Sequence, residues 1–407
     1  VMKKTALISI CLLAAASMSA QQTVVKEAEQ AMKSKKPYAE VLKIITPAMS
    51  DPSTDKLAIT YYIPGKAGIQ QYDDLLGKQQ LGMAGEDAPA TMANALLGAY
   101  DNYMKALPYD SLPDAKGKVK PKYSKEIINS LAGHYNDFNN MAINFWNAKQ
   151  YKDAYRSWGI YLEMPNDPRF KGKISVVPAD TVVAEVYYNQ GLAAWQADDF
   201  EDAINAFRKA IKSGYNKKSI YEYAIAVATL GKNNEALLEF ASAGNKAFGA
   251  DDPQFLNQII NYYLQTEKYA EALDYLNKGI AENPNNSQYY ALRGIIEDNQ
   301  EKRDEANADY RKAIELNPEN GLALFYLGRS VASKAGSMSD AYEGANFDKY
   351  KNETLVPMYK ESVKYLEKAY ELDPNNRPET LRVLEVVYYN LNDEAGLKSV
   401  QDRKLAD

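Results

Sequence analysis

One pattern recurs along the chain and limits what it can fold into. An aromatic-rich segment and a short polar turn are followed by Ala, a bulky residue four positions later and a small residue three further on. These positions are Ala203, Phe207 and Ala210; Ala236, Phe240 and Ala243; Ala272, Leu276 and Gly279; Ala306, Tyr310 and Ala313. An earlier copy, Ala154, Trp158 and Tyr161, carries a large residue at the last place. From Ala203 onward the first alanine recurs at 236, 272 and 306, a period of about 34 residues. Steps of four and three residues put the key side chains on one face of a helix. A period of this length holds one helical hairpin, whose apolar face only a stacked neighbour can cover.

Twelve positions before the first alanine stands a small residue, Gly191, Ala224 or Gly294, and prolines close two of the copies at Pro284 and Pro318. With these positions the pattern closely resembles the tetratricopeptide repeat family. The resemblance implies an all-α chain built as a right-handed superhelical solenoid of tetratricopeptide-type helix hairpins. Small residues let the two helices of a hairpin approach, while the bulky ones fill the gap to the next.

A sixth copy is split: Gly328 stands in its first helix, and Ser362, Leu366, Ala369 and Pro374 in its second. From Pro318 to Pro374 is about one and two-thirds periods, which places an insertion between Gly336 and Val356. Its deletion is expected to leave the array folded. A more polar last hairpin is expected from Thr380 to Leu391 and Asp393 to Leu405. Residues 134–407 are therefore expected to form the array, with insertions near 165–181 and 336–356, and residues 21–133 to form degenerate repeats. In the degenerate region Thr23 to Lys33 would partner the helix that follows Pro37, and Ala99, Tyr103 and Ala106 would hold the three key positions. Pro64 and the glycines from Gly65 to Gly85 obscure what lies between. The long connections 108–123, 165–181 and 336–356 are expected to be solvated loops.

Residues 1–20 begin with Lys3 and Lys4, run uncharged and apolar from Ala6 to Ala16, and end small and polar at Ser17, Met18, Ser19 and Ala20. That order is expected of an export signal cleaved after Ala20. No apolar run is long enough to span a bilayer, so no transmembrane segment is expected in the mature chain. Cys11, the one cysteine, lies within the apolar run behind Ile10 and does not fit a lipid acceptor. An exported chain without thiol chemistry follows, periplasmic or peripheral at the envelope. Its net charge of −6 becomes about −8 without Lys3 and Lys4, which argues against nucleic acid as a partner.

Little in the sequence points to catalysis. His134 is the one histidine, so no His-based metal cluster or triad can be assembled, and an ordinary helical residue is expected there. The pairs Asp198–Asp199 and Asp251–Asp252 are read as helix caps. Lys116, Lys118, Lys120 and Lys122 are read as a solvated loop. Asp110-Ser111-Leu112 and Asp180-Thr181-Val182 resemble the Asp-Ser/Thr-apolar O-glycan acceptors of periplasmic Bacteroidota proteins, and the end of the leader resembles that phylum's, with both triplets expected in loops. No catalytic residue, metal or cofactor is expected.

The family resemblance implies a protein or peptide partner in a concave groove lined by the first helix of each hairpin. On that stripe fall Asn139, Trp146, Tyr188, Trp195, Tyr221, Asn257, Asn261, Gln265 and Asn299. Amides suit a peptide backbone and aromatics its side chains; equally, Trp146 and Trp195 could serve packing alone. The Lys and Asn pair with which chaperone-binding members hold a chain-terminal carboxylate is absent from the matching positions Asn139 and Ile143, Tyr188 and Leu192, Tyr221 and Ile225, Asn257 and Asn261. The expected function is a non-enzymatic binding scaffold or assembly factor, with an accessory role in envelope glycan handling or nutrient uptake as the alternative. Tyr188→Ala with Asn257→Ala is expected to weaken binding and spare stability.

Overall fold

A computed structural model describes residues 21–113, 116–249 and 252–406. The expected leader, Cys11 included, lies outside the described residues. Among these, helix is the only regular structure besides an isolated bridge between Pro113 and Val119. The chain divides into two compact units, Val1–Leu237 and Leu238–Asp407.

The first unit opens with α1 (21–33), α2 (Tyr38–Met49), α3 (Ala58–Gln80) and α4 (Ala88–Asp110). It continues with α5 (Ser124–Gly133), α6 (Tyr135–Asn147), α7 (Tyr151–Glu163), α8 (Asp180–Gln196), α9 (Phe200–Lys212) and α10 (Lys218–Leu230). Helix α11 (Asn234–Phe248) carries the division. The second unit holds α12 (Gln254–Gln265), α13 (Tyr269–Glu282), α14 (Ser287–Asn299), α15 (Arg303–Leu316) and α16 (Gly321–Asp340). It ends with α17 (Phe347–Tyr350), α18 (Val356–Leu372), α19 (Arg377–Leu391) and α20 (Glu394–Ala406). Successive helices pack as hairpins: α3 on α4, α6 on α7, α8 on α9, α12 on α13, α14 on α15, and α16 on α18.

A small residue against a bulky one marks the close crossings. A Cβ added to Gly191 would lie 2.6 Å from the Phe207 ring, and one on Gly294 would lie 2.6 Å from the Tyr310 ring. Ala203, Phe207, Ala306 and Tyr310 are all fully buried. Between hairpins a small residue serves likewise: a Cβ on Gly279 would collide with the Tyr289 ring, and in α11 the role passes from half-buried Ala243 to Gly244, where a Cβ would lie 2.7 Å from the Phe255 ring.

Sequence also explains the ends of the helices. Lys149, Asp198, Lys232, Glu267 and Glu301 all adopt left-handed φ, from 55° to 62°, just past a hairpin's first helix. The amide that follows each bonds back across the turn, as Asp199 N donates to Ala194 O and Lys302 N to Glu297 O, both at 2.9 Å. This is the Schellman closure of a helix C-terminus. Proline restricts the residue before it to extended backbone; hence Asn283, Asn317 and Asp373, each followed by proline, stop α13, α15 and α18. Asn286 and Asn320 then cap the next helices, accepting from Gln288 N and Ala323 N.

Several expectations change. Residues 58–80, with Pro64 and three glycines, form one uninterrupted helix. The insertion 336–356 is mostly helical: α16 runs on to Asp340, and α17 passes through a π-turn, Lys351–Leu355, into α18. Leu355 there is 1% exposed within the core of α16, α18 and α19, so deleting the segment would open that core. The 165–181 connection is only partly solvated, because Phe170 within it is buried. Asp199 makes no capping bond, whereas Asp252 does, accepting from Gln254 N at 2.9 Å; Asp251 lies outside the described residues. His134 sits between α5 and α6, not within a helix, its ring nitrogens 2.7 Å from Ser130 O and 2.9 Å from Asp73 Oδ1. Thr181 belongs to the first turn of α8, and Ser111 directly follows α4 with its hydroxyl on Leu107 O.

Candidate functional site

In the first unit four aromatic rings form a continuous run. Tyr188 and Trp195 are two helical turns apart on one face of α8. The Tyr188 ring stacks on Tyr215 at 4.5 Å and lies 6.4 Å from Tyr223. Tyr223 in turn lies 5.6 Å from Trp195. The Lys217 ammonium covers Tyr215 at 5.4 Å. Burial first, then the neighbouring Tyr215, raises the Tyr188 hydroxyl above its ordinary value, so that ring stays neutral and serves as a contact surface. Tyr223 is 36% exposed and Leu230 55%, which leaves an apolar strip open on α10.

In the second unit the corresponding surface is polar. Asn257, Asn261 and Gln265 are spaced by fours along α12, and the last two are exposed. Asn257 Oδ1 accepts from Gln288 Nε2 at 3.1 Å, which ties α12 to α14. Arg329 pairs with Asp298 at 2.9 Å and lies 4.5 Å above the Tyr326 ring.

Among the described residues two carboxyls are raised, Asp137 on α6, by burial, and Glu297 on α14. Burial, then Asp309, pushes the Glu297 carboxyl up to about 7. Arg293 binds Asp309 through two nitrogens, at 2.6 and 2.7 Å, and Asn277 through the third, so the Glu297 Oε2 is left unbonded. That grouping lies inside the α14/α15 hairpin and is accounted for by packing. Among the described residues no cluster of His, Cys, Asp or Glu is arranged to hold a metal, and no helix is long and apolar enough to cross a membrane.

Residues 176–325 match a family model described as tetratricopeptide repeat, and residues 358–376 match a second so described. The chain contains tetratricopeptide repeats. A repeat-containing protein of Methanocaldococcus jannaschii is 23% identical over 348 residues, 76% of this chain and 56% of that protein. The chain thus spans little more than half the length of this curated relative. Among solved structures, a TPR repeats protein of Bacteroides fragilis NCTC 9343 is 21% identical with a TM-score of 0.35, covering 63% of this chain and 98% of that one. PilW, described as a type IV pilus biogenesis factor, is 14% identical with a TM-score of 0.35, covering 55% and 93%.

Within the repeats, the residues expected on one stripe have different surroundings. Tyr188 and Trp195 share the aromatic run. Tyr221, by contrast, is 6% exposed and belongs to the core. Two positions further on, Tyr223 is the α10 side chain that reaches Trp195; a step of two turns about 200° around a helix. Sequence counting missed Tyr223 and Tyr215 because it carried one helical phase from copy to copy. Asn139 accepts from the Trp158 indole at 3.0 Å, and half-buried Trp146 packs on Tyr151 at 5.1 Å and Trp158 at 6.4 Å. Both of those side chains bind their own hairpin together. Asn299 is exposed at its helix end, and its amide donates to Ile295 O at 2.8 Å.

Proposed function

We propose that this chain is a non-enzymatic scaffold that holds an extended peptide segment of a partner protein against the aromatic strip of α8 and α10. The observation that carries the proposal is the run Tyr215, Tyr188, Tyr223 and Trp195, in which stacking has already restricted the rings and Tyr223 remains open. Rigid aromatics offer a large contact area at little entropic cost. The amides of α12 suit a peptide backbone, and they form a separate candidate face on the second unit.

The test is to pan a random peptide library on the immobilised protein and follow the binding of enriched peptides through Trp195 fluorescence. Tyr223→Ala should weaken binding about tenfold or more with little change in thermal stability. Tyr188→Ala is a poor choice, because Tyr188 also lies 6.1 Å from Phe207 and its removal would disturb the hairpin. If no peptide is enriched, or if enriched peptides bind the Tyr223→Ala protein as well as wild type, the strip is not the site. We further propose an exported, periplasmic location, which rests on residues 1–20 and is tested by fractionating cells that express the whole chain.

A further inference from the structure

We propose that the first unit pairs with a second copy of itself, the tip of the α3/α4 hairpin on one copy seating on the 171–177 strap of the other. The tip exposes Leu81 at 74% and Met83 at 70%, beside the exposed acids Glu86 and Asp87. The strap, between α7 and α8, exposes Val176 at 65% and Val177 at 66%, beside the exposed bases Lys171 and Lys173. Each patch joins two large apolar side chains to two charges of one sign, and the signs are opposite. Among the described residues none of these four charges makes an ion pair.

The two patches do not cover each other within one chain, since Leu81, Met83, Val176 and Val177 all stay at least 65% exposed. A two-fold arrangement satisfies both patches twice, because tip meets strap and strap meets tip. Such exposed apolar side chains rimmed with charge mark association surfaces, and the opposite signs set the register while rejecting tip against tip.

Sedimentation equilibrium of the whole mature chain over a concentration series tests the pairing. Wild type should dimerise reversibly, and more weakly as salt rises. Glu86→Lys with Asp87→Lys should weaken the dimer about tenfold or more, and so should Lys171→Glu with Lys173→Glu. All four substitutions together exchange the signs and should restore a dimer close to wild type in affinity. These surface changes should leave circular dichroism unaltered, which separates lost association from lost folding. A wild-type chain that stays monomeric up to about 0.1 mM overturns the proposal. So does a dimer indifferent to either reversal, or one that the fourfold exchange does not restore.

Discussion

Hairpins α8/α9 and α3/α4 make the same contact at different lengths. In the first, Gly191 lies against the Phe207 ring; in the second, Gly65 lies against Tyr103, and the chain joining glycine to ring is more than twice as long. Beyond its glycine α8 runs only to Gln196, whereas α3 runs from Gly65 to Gln80. On the return, α9 starts at Phe200, two turns before its ring, and α4 starts at Ala88, about four turns before Tyr103. The α16/α18 hairpin repeats the long version, since Gly328 and Leu366 stand as far apart in sequence as Gly65 and Tyr103. What the fold keeps is the crossing of a small residue against a bulky one, and the arms beyond it can lengthen. The added length is unequally shared, about three turns on the outgoing arm and about two on the return, with the rest in the turn between them.

The strongest test of that equivalence is to remove the ring from each hairpin. Tyr103 and Phe207 are 1% and 0% exposed, so either changed to Ala leaves a cavity and should cost about 3–5 kcal/mol. Chemical denaturation of the two variants checks this. Should Tyr103→Ala cost less than about 1 kcal/mol while Phe207→Ala costs the full amount, the long hairpin is held by something other than the shared crossing.

Legibility followed the same divide. The short hairpins could be read from sequence because their prolines and turn residues stand at the ends of helices, where local rules apply. In α3 those residue types are interior. Gly68 is there because a Cβ would collide with Ala95 O and Ala99, a reason that exists only once α4 is in place. Tertiary packing thus selected residues that sequence rules assign to loops. The positions Ala99, Tyr103 and Ala106 could still be read, and all are buried. On the candidate strip, Tyr188 and Trp195 followed from helical spacing on one helix. Tyr223 and Tyr215 required knowing how the next hairpin is rotated against it, which the period alone does not encode.

The exits of the two kinds of hairpin also differ. Proline ends α13 and α15, but the chain leaving α4 is held by a carboxylate: Asp110 accepts from Lys122 N at 3.0 Å, Tyr123 N at 2.8 Å, and both Ser124 N and its hydroxyl at 2.7 Å. Burial would raise this carboxyl, but the four bonds prevail and hold it below the ordinary value. Its contribution to stability is therefore complete above the unfolded value near 3.8 and is lost as pH falls through the lower folded value. Asp110→Asn replaces one accepting oxygen by an amide NH2 that faces N–H donors and should cost about 1–3 kcal/mol at neutral pH. The difference from wild type should narrow in acid; a penalty that stays constant down to pH about 2 would show that Asp110 acts by shape alone.

The smallest effect separates the turns themselves. In α8/α9 the left-handed position is Asp198, at φ 59°, and in α3/α4 it is Gly82, at φ 68°. Both turns close alike, since Met83 N donates to Lys78 O at 2.8 Å as Asp199 N does to Ala194 O at 2.9 Å. An L-residue with a Cβ resists this conformation by about 1–2 kcal/mol, and glycine returns part of that gain as extra freedom in the unfolded chain. Asp198→Gly should therefore stabilise the protein by about 0.5–1 kcal/mol, and Gly82→Ala should destabilise it by a similar amount. Thermal unfolding of both variants against wild type reads the two signs directly. If Asp198→Gly destabilises, the aspartate is doing more than filling a turn, and the charge it places beside Asp199 becomes the feature to explain.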